Sequence, residues 1–386
     1  MVRDPNLTRR RLVLANQSPV RSAAEGWFTP RPVPSVPDVA GRVVADAATL
    51  LPVLERRPSW TELDRRARGT HFLAIESRNV LNSSKATGMN FWSLNPYIGC
   101  EFGCAYCYAR DTHRWAVERA AGAADAPLAV REILEIDPAE AFERRVLVKE
   151  DAAERLARTL EPARLGAEAL VIGTATDPYQ PAERRFRITR SVLEALAKFR
   201  GLNVGIITKS PLIVRDLDLL RSLSGRHRLS VNISLASRDA ALLRRLEPRT
   251  PTPRARLRAI RRLADAGISV GILIAPILPG ITDSRVALRG LMQSAHDAGA
   301  RWAAGVPLRM GPATRRTFLP WIDRRRPDLA ARYRRHFTGR RNTSRAYQAA
   351  LQSRLESLRR ECGIEDRRHA ARPAPAPPRA QQLGFW

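Results

Sequence analysis

Three of the four cysteines in this chain lie within eight residues of one another, at Cys100, Cys104 and Cys107. Their C-x3-C-x2-C spacing offers three thiolates on one short loop, whereas four thiolates close the coordination of a cubane [4Fe–4S] cluster. A cluster held by three thiolates keeps one iron free to take a small molecule. Gly99 and Gly103 precede the first two cysteines and favour a tight loop. The spacing therefore predicts a [4Fe–4S] site with one open iron.

Zinc is the main alternative for these cysteines. Cys100, Cys104, Cys107 and the nearby His113 would give three thiolates and one imidazole, a donor set that zinc takes in structural sites. Burial as small apolar side chains is a third interpretation. A disulfide framework is disfavoured, because four cysteines are few for 386 residues and a close trio cannot pair completely.

Length and composition indicate one large α/β domain with appendages, since 386 residues with a hydrophobic content of 44% can bury a sizeable core. The sequence contains no apolar run long enough to span a bilayer, so no membrane partner is expected. The arginines at 9–11 are followed by only four apolar residues, too few for the apolar part of a secretion signal. We expect a cytoplasmic, reducing location, which also suits an iron–sulfur protein.

The formal net charge of +28 indicates a polyanionic partner or substrate, with nucleic acid as the first candidate. Only four of the 66 basic residues are lysines, a bias that codon usage in a GC-rich genome produces, but codon usage does not explain the surplus over acidic residues. Solvated helix faces are the alternative. The arginine clusters of the C-terminal third lie at 315–316, 324–326, 334–335 and 340–341.

The chain divides into four predicted segments. Residues 1–74 form a weakly ordered extension with a proline-rich stretch at 28–37, residues 75–310 form the core, residues 311–364 form a helical extension, and residues 365–386 form a flexible tail with a proline-rich spacer. Within the core, short apolar runs alternate with amphipathic segments. Strands are predicted at 169–173, 204–208, 229–235 and 268–274, with a weaker one at 302–306. Helices are predicted at 188–200, 212–223, 253–266 and 284–298, and in the extension at 348–362.

This alternation predicts parallel βα units, about six when a strand that leads into Cys100 is included. In such folds chemistry gathers on the loops after the carboxyl ends of the strands. Those loops carry the unusual polar residues of this chain, which are Thr176, Asp177, Lys209, Ser234, Arg249 and Arg256. A zinc finger would need none of these loops, so they favour iron.

The cysteine run, with Tyr106 directly before the last cysteine, resembles the signature of radical S-adenosylmethionine (SAM) enzymes. Four further segments are similar to the spore-photoproduct-lyase-like branch of that superfamily, whose members include proteins called DNA repair photolyases. They are Asn-Pro-Tyr at 95–97, Thr-Asp-Pro-Tyr-Gln-Pro at 176–181, Thr-Lys-Ser-Pro at 208–211 and Glu-Pro-Arg-x-Pro-x-Pro at 247–253. The resemblance covers roughly 75–360 and implies a partial (β/α)6 TIM-like barrel with a helical C-terminal extension and flexible tails.

The resemblance also implies roles for single residues. Cys100, Cys104 and Cys107 would hold the cluster, whose open iron SAM chelates, and a flavodoxin or ferredoxin would reduce it. Tyr106 would lie against the adenine. Thr176 and Asp177 would receive the SAM amine, Lys209 and Ser234 would approach the carboxylate and ribose, and Arg249 or Arg256 could replace Lys209. The alternatives are a turn former for Asp177, a surface charge for Lys209, a strand-end hydroxyl for Ser234 and structural roles for the two arginines.

Two features bear on the reaction and on partners. Spore photoproduct lyases place a hydrogen-donor cysteine beside SAM, but residues 173–183 contain no cysteine, and Cys362 is predicted in a C-terminal helix. Direct reversal of a thymine dimer is therefore disfavoured.

The five residues from Gln382 to Trp386 resemble the peptide by which bacterial repair proteins dock on the DNA sliding clamp, although the tail could instead fold back. The rival functions are a zinc-containing nucleic-acid-binding protein and a radical SAM enzyme that acts on a peptide or small molecule.

Overall fold

Six parallel strands form the main sheet of the computed structural model, which describes residues 61–66, 69–76, 79–113 and 138–366. In spatial order they are β4 (Trp92–Leu94), β7 (Ala169–Ile172), β8 (Asn203–Thr208), β9 (Arg228–Ser234), β10 (Val270–Ile277) and β11 (Ala303–Pro307). A short strand, β3 (Leu81–Asn82), pairs antiparallel with β4. Within the described residues the two end strands β3 and β11 do not pair, so the barrel is partial. The predicted (β/α)6 arrangement is confirmed.

A second, four-stranded sheet lies beside the first. It contains β1 (Thr61–Arg65), β2 (His71–Ala74), β6 (Arg145–Val148) and β5 (Tyr97–Ile98) in that order. The sequence analysis places residues up to 74 in a weakly ordered extension, and for the strands β1 and β2 that expectation is wrong. The strand β2 is stabilised by pairing with β6, more than seventy positions further along the chain, which local sequence patterns do not show.

Helices connect and flank the strands. They are α1 (Ser84–Thr87), α2 (Pro138–Arg144), α3 (Ala152–Thr159), α4 (Pro162–Leu165), α5 (Glu183–Phe186), α6 (Ile188–Leu196), α7 (Leu217–Arg226), α8 (Ala240–Leu246), α9 (Pro253–Asp265), α10 (Arg285–Asp297), α11 (Pro312–Arg325), α12 (Pro327–Phe337) and α13 (Arg345–Glu361). The last three make up the helical C-terminal extension.

Helix α9 shows why these segments fold as they do. The hydroxyl of Thr252 accepts a hydrogen bond from the amide of Ala255, and Pro253 occupies the first turn. Ile260 and Leu263 lie on its buried face and pack into the main core. Helices α10 and α13 begin with equivalent serine caps at Ser284 and Ser344.

Some predicted boundaries differ from the structure. The single helix predicted at 212–223 is a 3-10 turn, Pro211–Asp216, followed by α7, because Ser210 and Pro211 begin a separate capped turn. Strand β10 begins at Val270, after the positive-φ residue Gly267, and extends to Ile277 instead of ending at 274. In the part of the chain described here, no helix is long and apolar enough to cross a membrane. The predictions for 1–60 and for the tail, including Gln382 to Trp386, lie outside the described residues.

Candidate active site

The cysteine loop, residues 99–108, follows β5 and leads into a helical turn at 110–113. The amide of Cys100 donates to the carbonyl of Phe142 at 2.8 Å, and the amide of Ala105 donates to that of Leu246 at 2.9 Å. Gly99 has a φ of 90°, and a Cβ there would lie 2.8 Å from the Phe142 oxygen, so only glycine fits. The loop is thus held between α2 and the end of α8.

The three thiols are withdrawn from solvent. Cys100 and Cys104 are buried and Cys107 is half-buried. Burial raises the pKa of all three thiols, while the cations of Lys209 and Arg256 act in the opposite direction on the pKa of Cys104. Ionised thiolates at this place therefore need further positive charge, such as a metal centre brings.

The zinc alternative lacks its fourth ligand. The Nε2 atom of His113 lies 3.0 Å from the carbonyl oxygen of Arg145, and burial lowers the pKa of His113 to about 4. Among the described residues, no three His, Cys, Asp or Glu side chains converge on the position of a single ion. A cubane takes each thiolate on a different iron, so its ligands need not converge on one point. The donor set therefore fits a three-thiolate iron–sulfur cluster better than a zinc ion.

A buried carboxylate, Glu247, lies at the centre of the site. It accepts hydrogen bonds from the hydroxyl of Tyr106, the ammonium of Lys209 at 2.9 Å, the guanidinium of Arg256 and the hydroxyl of Thr250 at 2.8 Å. The side chains of Glu247 and Arg256 are both fully buried. We call Glu247, Tyr106, Lys209 and Arg256 the Glu247 cluster.

Different elements supply the members of the Glu247 cluster. Lys209 follows β8, Glu247 follows α8, Arg256 projects from α9, and Tyr106 comes from the cysteine loop. Because β8 and β9 are parallel, the residues after their carboxyl ends meet at one edge of the sheet, and Ser234 lies there too, 3.5 Å from the Lys209 ammonium. The cluster holds one carboxylate against two cations, so it carries surplus positive charge beside Cys104.

Glu247 is the residue that the sequence analysis missed. Its segment is quoted there as part of a motif, but only Arg249 and Arg256 are given roles. The available signal was an acidic residue directly after the apolar residue Leu246, at the start of a segment rich in arginine and proline. Nothing local shows that this carboxylate is buried against Tyr106, 141 positions earlier in the chain.

The loop after β7 carries the second group of predicted residues. The Asp177 carboxylate accepts from the amide of Tyr179 at 2.9 Å, the hydroxyl of Thr208 at 2.6 Å and the amide of Lys209 at 2.7 Å. Burial raises the pKa of Asp177, and these hydrogen bonds act in the opposite direction. Asp177 thus joins this loop to the end of β8. This agrees in part with the turn-forming role that the sequence analysis gives as the alternative to a contact with SAM.

Thr176 contacts the cysteine loop directly. Its hydroxyl donates to the carbonyl of Gly99 at 2.6 Å, and the side-chain amide of Gln180 donates to the same oxygen at 3.2 Å. The Gln180 side-chain oxygen accepts from the amide of Glu101 at 3.0 Å. That Thr176 and Asp177 receive the amine of SAM stays a prediction.

The two arginines named from the sequence occupy different places. Arg256 is inside the Glu247 cluster, whereas Arg249 lies across Gly103, donates to the carbonyl of Glu101 and pairs with Glu143. Both guanidinium groups are therefore engaged with protein acceptors. The structure brings Tyr106, Lys209, Ser234 and Arg256 together and leaves Arg249 on the outer side of the cysteine loop.

The C-terminal extension is docked on the cysteine loop. The hydroxyl of Thr314 donates to the carbonyl of Cys107 at 3.0 Å, and that of Thr317 donates to the carbonyl of Ala105 at 2.7 Å. Two of the predicted arginine clusters meet here, since Arg315 donates to the carbonyl of Arg340 at 2.9 Å. Arg309 forms an isolated antiparallel β-bridge with Asn342 beside these arginines. Burial and the positive charge of the nearby Arg341 lower the pKa of Arg309. A basic rim thus adjoins the site.

The chain is similar in sequence to known proteins. A family model described as "Radical SAM superfamily" matches residues 94–289. An uncharacterized protein of Mycobacterium tuberculosis is 33% identical over 350 residues, covering 89% of this chain and 94% of the relative. An uncharacterized protein of Methanocaldococcus jannaschii is 26% identical over 211 residues, covering 55% of this chain and 69% of the relative.

Solved structures of spore photoproduct lyase share the fold. A double mutant with bound AdoMet and dinucleoside spore photoproduct superimposes with a TM-score of 0.52 at 17% identity, covering 75% of this chain and 79% of that chain. The lyase complexed with dinucleoside spore photoproduct gives a TM-score of 0.53 at 17% identity, with the same coverage. At this level of identity the likeness shows a common architecture.

Proposed function

We propose that Cys100, Cys104 and Cys107 hold a [4Fe–4S] cluster and that the enzyme acts on a nucleic acid, because the chain belongs to the radical SAM superfamily and is a radical SAM enzyme. Once bound and reduced by a flavodoxin or ferredoxin, such a cluster would chelate SAM and supply the electron for its cleavage to methionine and a 5′-deoxyadenosyl radical, which would abstract hydrogen from the substrate. The observation that carries the proposal is the loop of three thiols, two buried and one half-buried, beside the positively charged Glu247 cluster.

The chain's own residues prepare this place for negative charge. Two cations, Lys209 and Arg256, lie close to Cys104 and share one ion-pair partner, Glu247, while Asp177 accepts from the backbone amide of Lys209. In a buried setting such a surplus favours the ionised thiolates and any further anion that binds beside them. The backbone hydrogen bonds at Cys100 and Ala105 keep the loop in one conformation, so the thiols are positioned before any ligand arrives.

Lys209 is the group best placed to meet the carboxylate of SAM. Its ammonium has three donors, of which one goes to Glu247 and one to the Tyr106 oxygen at 3.1 Å. The third points toward Ser234 at 3.5 Å, the weakest of the three contacts. That donor can turn to an incoming carboxylate without breaking the pair with Glu247.

The basic rim supports nucleic acid as the substrate class. Arg309, Arg315, Arg340 and Arg341 lie where the C-terminal extension meets the cysteine loop, so an anionic polymer on the rim would reach the site. The reductant and the sliding clamp, through Gln382 to Trp386, remain proposed partners. The reducing cytoplasm is the proposed compartment, since none of the four cysteines is in a disulfide.

Direct dimer reversal with a cysteine as hydrogen donor is not part of the proposal. Cys362 is buried at the end of α13, with its thiol 3.8 Å from the carbonyl oxygen of Arg289, which lies on α10. Both elements flank the outside of the barrel, away from the cysteine loop. Any lyase-like reaction of this enzyme would need another hydrogen donor.

The test of the cofactor is made on anaerobically purified protein. Iron, sulfide and zinc are counted, dithionite and SAM are added, and 5′-deoxyadenosine is measured by chromatography. We expect about four irons per chain and product in the wild type. Cys104→Ala should lose both, and the matched control Cys362→Ala should keep both. Bound zinc without 5′-deoxyadenosine in the wild type would contradict the proposal.

The substrate class is tested with deuterated substrate pools. DNA, RNA and peptide pools are incubated separately with SAM and reductant, and transfer of deuterium into 5′-deoxyadenosine is measured by mass spectrometry. Transfer from a nucleic-acid pool alone is the expected result. Transfer from the peptide pool alone would favour the rival peptide-modifying enzyme.

A further inference from the structure

A basic groove runs along the outer face of the barrel between α9 and α10. One part, of about 690 Å³, is lined by Arg238, Arg254, Arg258 and Arg261 together with residues of α10. A second part, of about 420 Å³, continues from Arg238 along the other side of α10. We call the two parts together the α9–α10 groove.

Arginines dominate the lining of this groove. The six are Arg238, Arg254, Arg258, Arg261, Arg285 and Arg289, and the two carboxylates are Asp297 and Glu361. Mutual repulsion makes such an array costly unless an anion is present. The lining therefore has the composition of a surface for a polyanion.

Helical geometry aligns the arginines of α9. Arg254, Arg258 and Arg261 are spaced at i, i+4 and i+7, which places them on one face over about 10 Å. All three are exposed, and none has an ion-pair partner among the residues that the structure describes. Opposite them, Arg238 lies across α10 at Gly290, where a Cβ would come within 2.9 Å of its guanidinium, and donates to Ser294 at 2.8 Å.

Surface arginines on two other helices are paired with carboxylates of their own helix or its start. On α3 and α4, Arg155, Arg158 and Arg164 each have a carboxylate three or four positions earlier. In the groove, Arg285 pairs with Glu361, whereas Arg254, Arg258 and Arg261 have no such neighbour in the described part of the chain. The three arginines of α9 are therefore available to an external anion.

The groove begins at the edge of the barrel that carries the site. In a parallel βα unit the amino end of each helix lies at the same edge as the carboxyl end of the preceding strand. Arg254 is thus near this edge, two residues after Thr252, and Arg285 is at the first turn of α10. Arg261 and Asp297 lie further down the outer face, so the groove leads away from the site edge.

We propose that the α9–α10 groove binds the phosphodiester backbone of a nucleic acid strand and guides it toward the site, an inference that rests on the proposed nucleic-acid substrate. The arginine fork pairs with phosphate oxygens in a bidentate way. The lining contains no aromatic side chain on which a base could stack, so binding is independent of sequence. It also lacks the aromatic anchors that protein interfaces use.

The test compares two triple variants with the same change in charge. One is Arg254→Gln, Arg258→Gln and Arg261→Gln in the groove, and the control is Arg155→Gln, Arg158→Gln and Arg164→Gln. Binding of a fluorescein-labelled single-stranded 20-mer DNA is followed by anisotropy between about 50 and 200 mM salt. The groove variant should bind about 10-fold more weakly, and the slope of log affinity against log salt should shrink by about 2. The control should bind like the wild type.

Three results would overturn the inference. In the first, the wild-type protein does not bind the 20-mer. In the second, the two triple variants lose the same affinity for the 20-mer. In the third, poly-L-glutamate displaces the DNA at equal charge, which would indicate an acidic protein partner. Formation of 5′-deoxyadenosine without nucleic acid is measured in parallel and should be the same in all variants. Its absence from the wild type would count against the proposed enzyme chemistry and not against the groove.

Discussion

Two fully buried glutamates organise two polar clusters on opposite sides of the loop after β7. Glu247 accepts from Tyr106, Lys209 and Arg256. Glu183 accepts from the hydroxyl of Tyr97, the guanidinium of Arg215 at 2.8 Å and the amides of Thr189 at 2.9 Å and Arg190 at 3.2 Å. Each pairs a buried carboxylate with a tyrosine and an arginine, yet only the first contacts the cysteine loop through Tyr106.

The clusters differ in charge balance. Around Glu183, the buried carboxylate of Asp216 pairs with both Arg190 and Arg215, so two buried carboxylates face two arginines. Around Glu247, one carboxylate faces Lys209 and Arg256. A buried network whose charges cancel can stabilise a fold by itself. A buried network with surplus positive charge reaches neutrality only when an anion binds to it. We call Glu183, Tyr97, Asp216, Arg190 and Arg215 the Glu183 cluster, and we propose from this comparison that it supports the fold whereas the Glu247 cluster binds a ligand.

The largest expected effect comes from Glu247→Gln. Removing this carboxylate leaves two buried cations facing each other without compensation, which costs about 3–5 kcal/mol. 5′-Deoxyadenosine formation per folded molecule should fall about 10- to 100-fold, because Tyr106 and Lys209 lose the carboxylate that holds them beside the cysteine loop and a hydrogen bond to a charged group contributes about 1.5–3 kcal/mol. The measurements are iron per chain and product formed under anaerobic conditions.

The matched change is Glu183→Gln. Arg215 keeps its pair with Asp216, and the glutamine oxygen can still accept from the backbone amides, so the loss in stability should be about 1–3 kcal/mol. Activity per folded molecule should equal that of the wild type. If Glu183→Gln and Glu247→Gln lost SAM cleavage to the same extent, the two clusters would not differ in function.

Lys209→Met tests the surplus charge directly. It leaves Arg256 and Glu247 as a balanced pair, so folding should be retained while the site loses its surplus cation. A hydrogen bond to a charged group contributes about 1.5–3 kcal/mol, so the Kd for SAM should rise about 10- to 100-fold. Isothermal titration with the iron-loaded variant gives this value, and unchanged affinity would remove Lys209 from the SAM site.

The two tyrosines give a paired effect of similar size. Tyr106→Phe and Tyr97→Phe each remove one hydroxyl from a buried glutamate, and each should lower the free energy of unfolding by about 1.5–3 kcal/mol. Only Tyr106→Phe should also slow 5′-deoxyadenosine formation, because its hydroxyl accepts from Lys209 as well. Urea denaturation and product assays on both variants make the comparison, and a slowed Tyr97→Phe enzyme would speak against it.

The sequence predicts the scaffold of these clusters better than the clusters themselves. Helix α9 is predicted within one residue of its bounds, because Thr252, Pro253 and the apolar spacing of Ile260 and Leu263 are local signals. Five of the six parallel strands follow from apolar runs in the same way, whereas β4 was expected only as a strand that leads into Cys100. The cysteine loop is recognised from its spacing.

The polar contacts inside the site could not be predicted, because they join distant positions. Glu247 meets Tyr106 across 141 positions and Lys209 across 38, and Tyr97 meets Glu183 across 86. Local patterns identify Asp177 only as polar and next to Pro178. That both of its oxygens are used by Thr208, Tyr179 and Lys209 depends on the pairing of β7 with β8.

The smallest expected effect is at the outer edge of the Glu183 cluster, where Asp218 pairs with Arg190 at 2.8 Å in an exposed position. Such surface pairs contribute about 0.2–1 kcal/mol, so Asp218→Asn should lower stability by less than about 1 kcal/mol at pH 7. The hydrogen bond from Arg190 lowers the pKa of Asp218, so the contribution is present above the ordinary aspartate pKa and is lost as the pH falls through the lowered value. Urea denaturation of wild type and variant should therefore differ slightly at pH 7 and converge in acid. A loss as large as that of Glu183→Gln would show that charge balance in this cluster extends to its solvent-exposed members, and would weaken the contrast with Glu247.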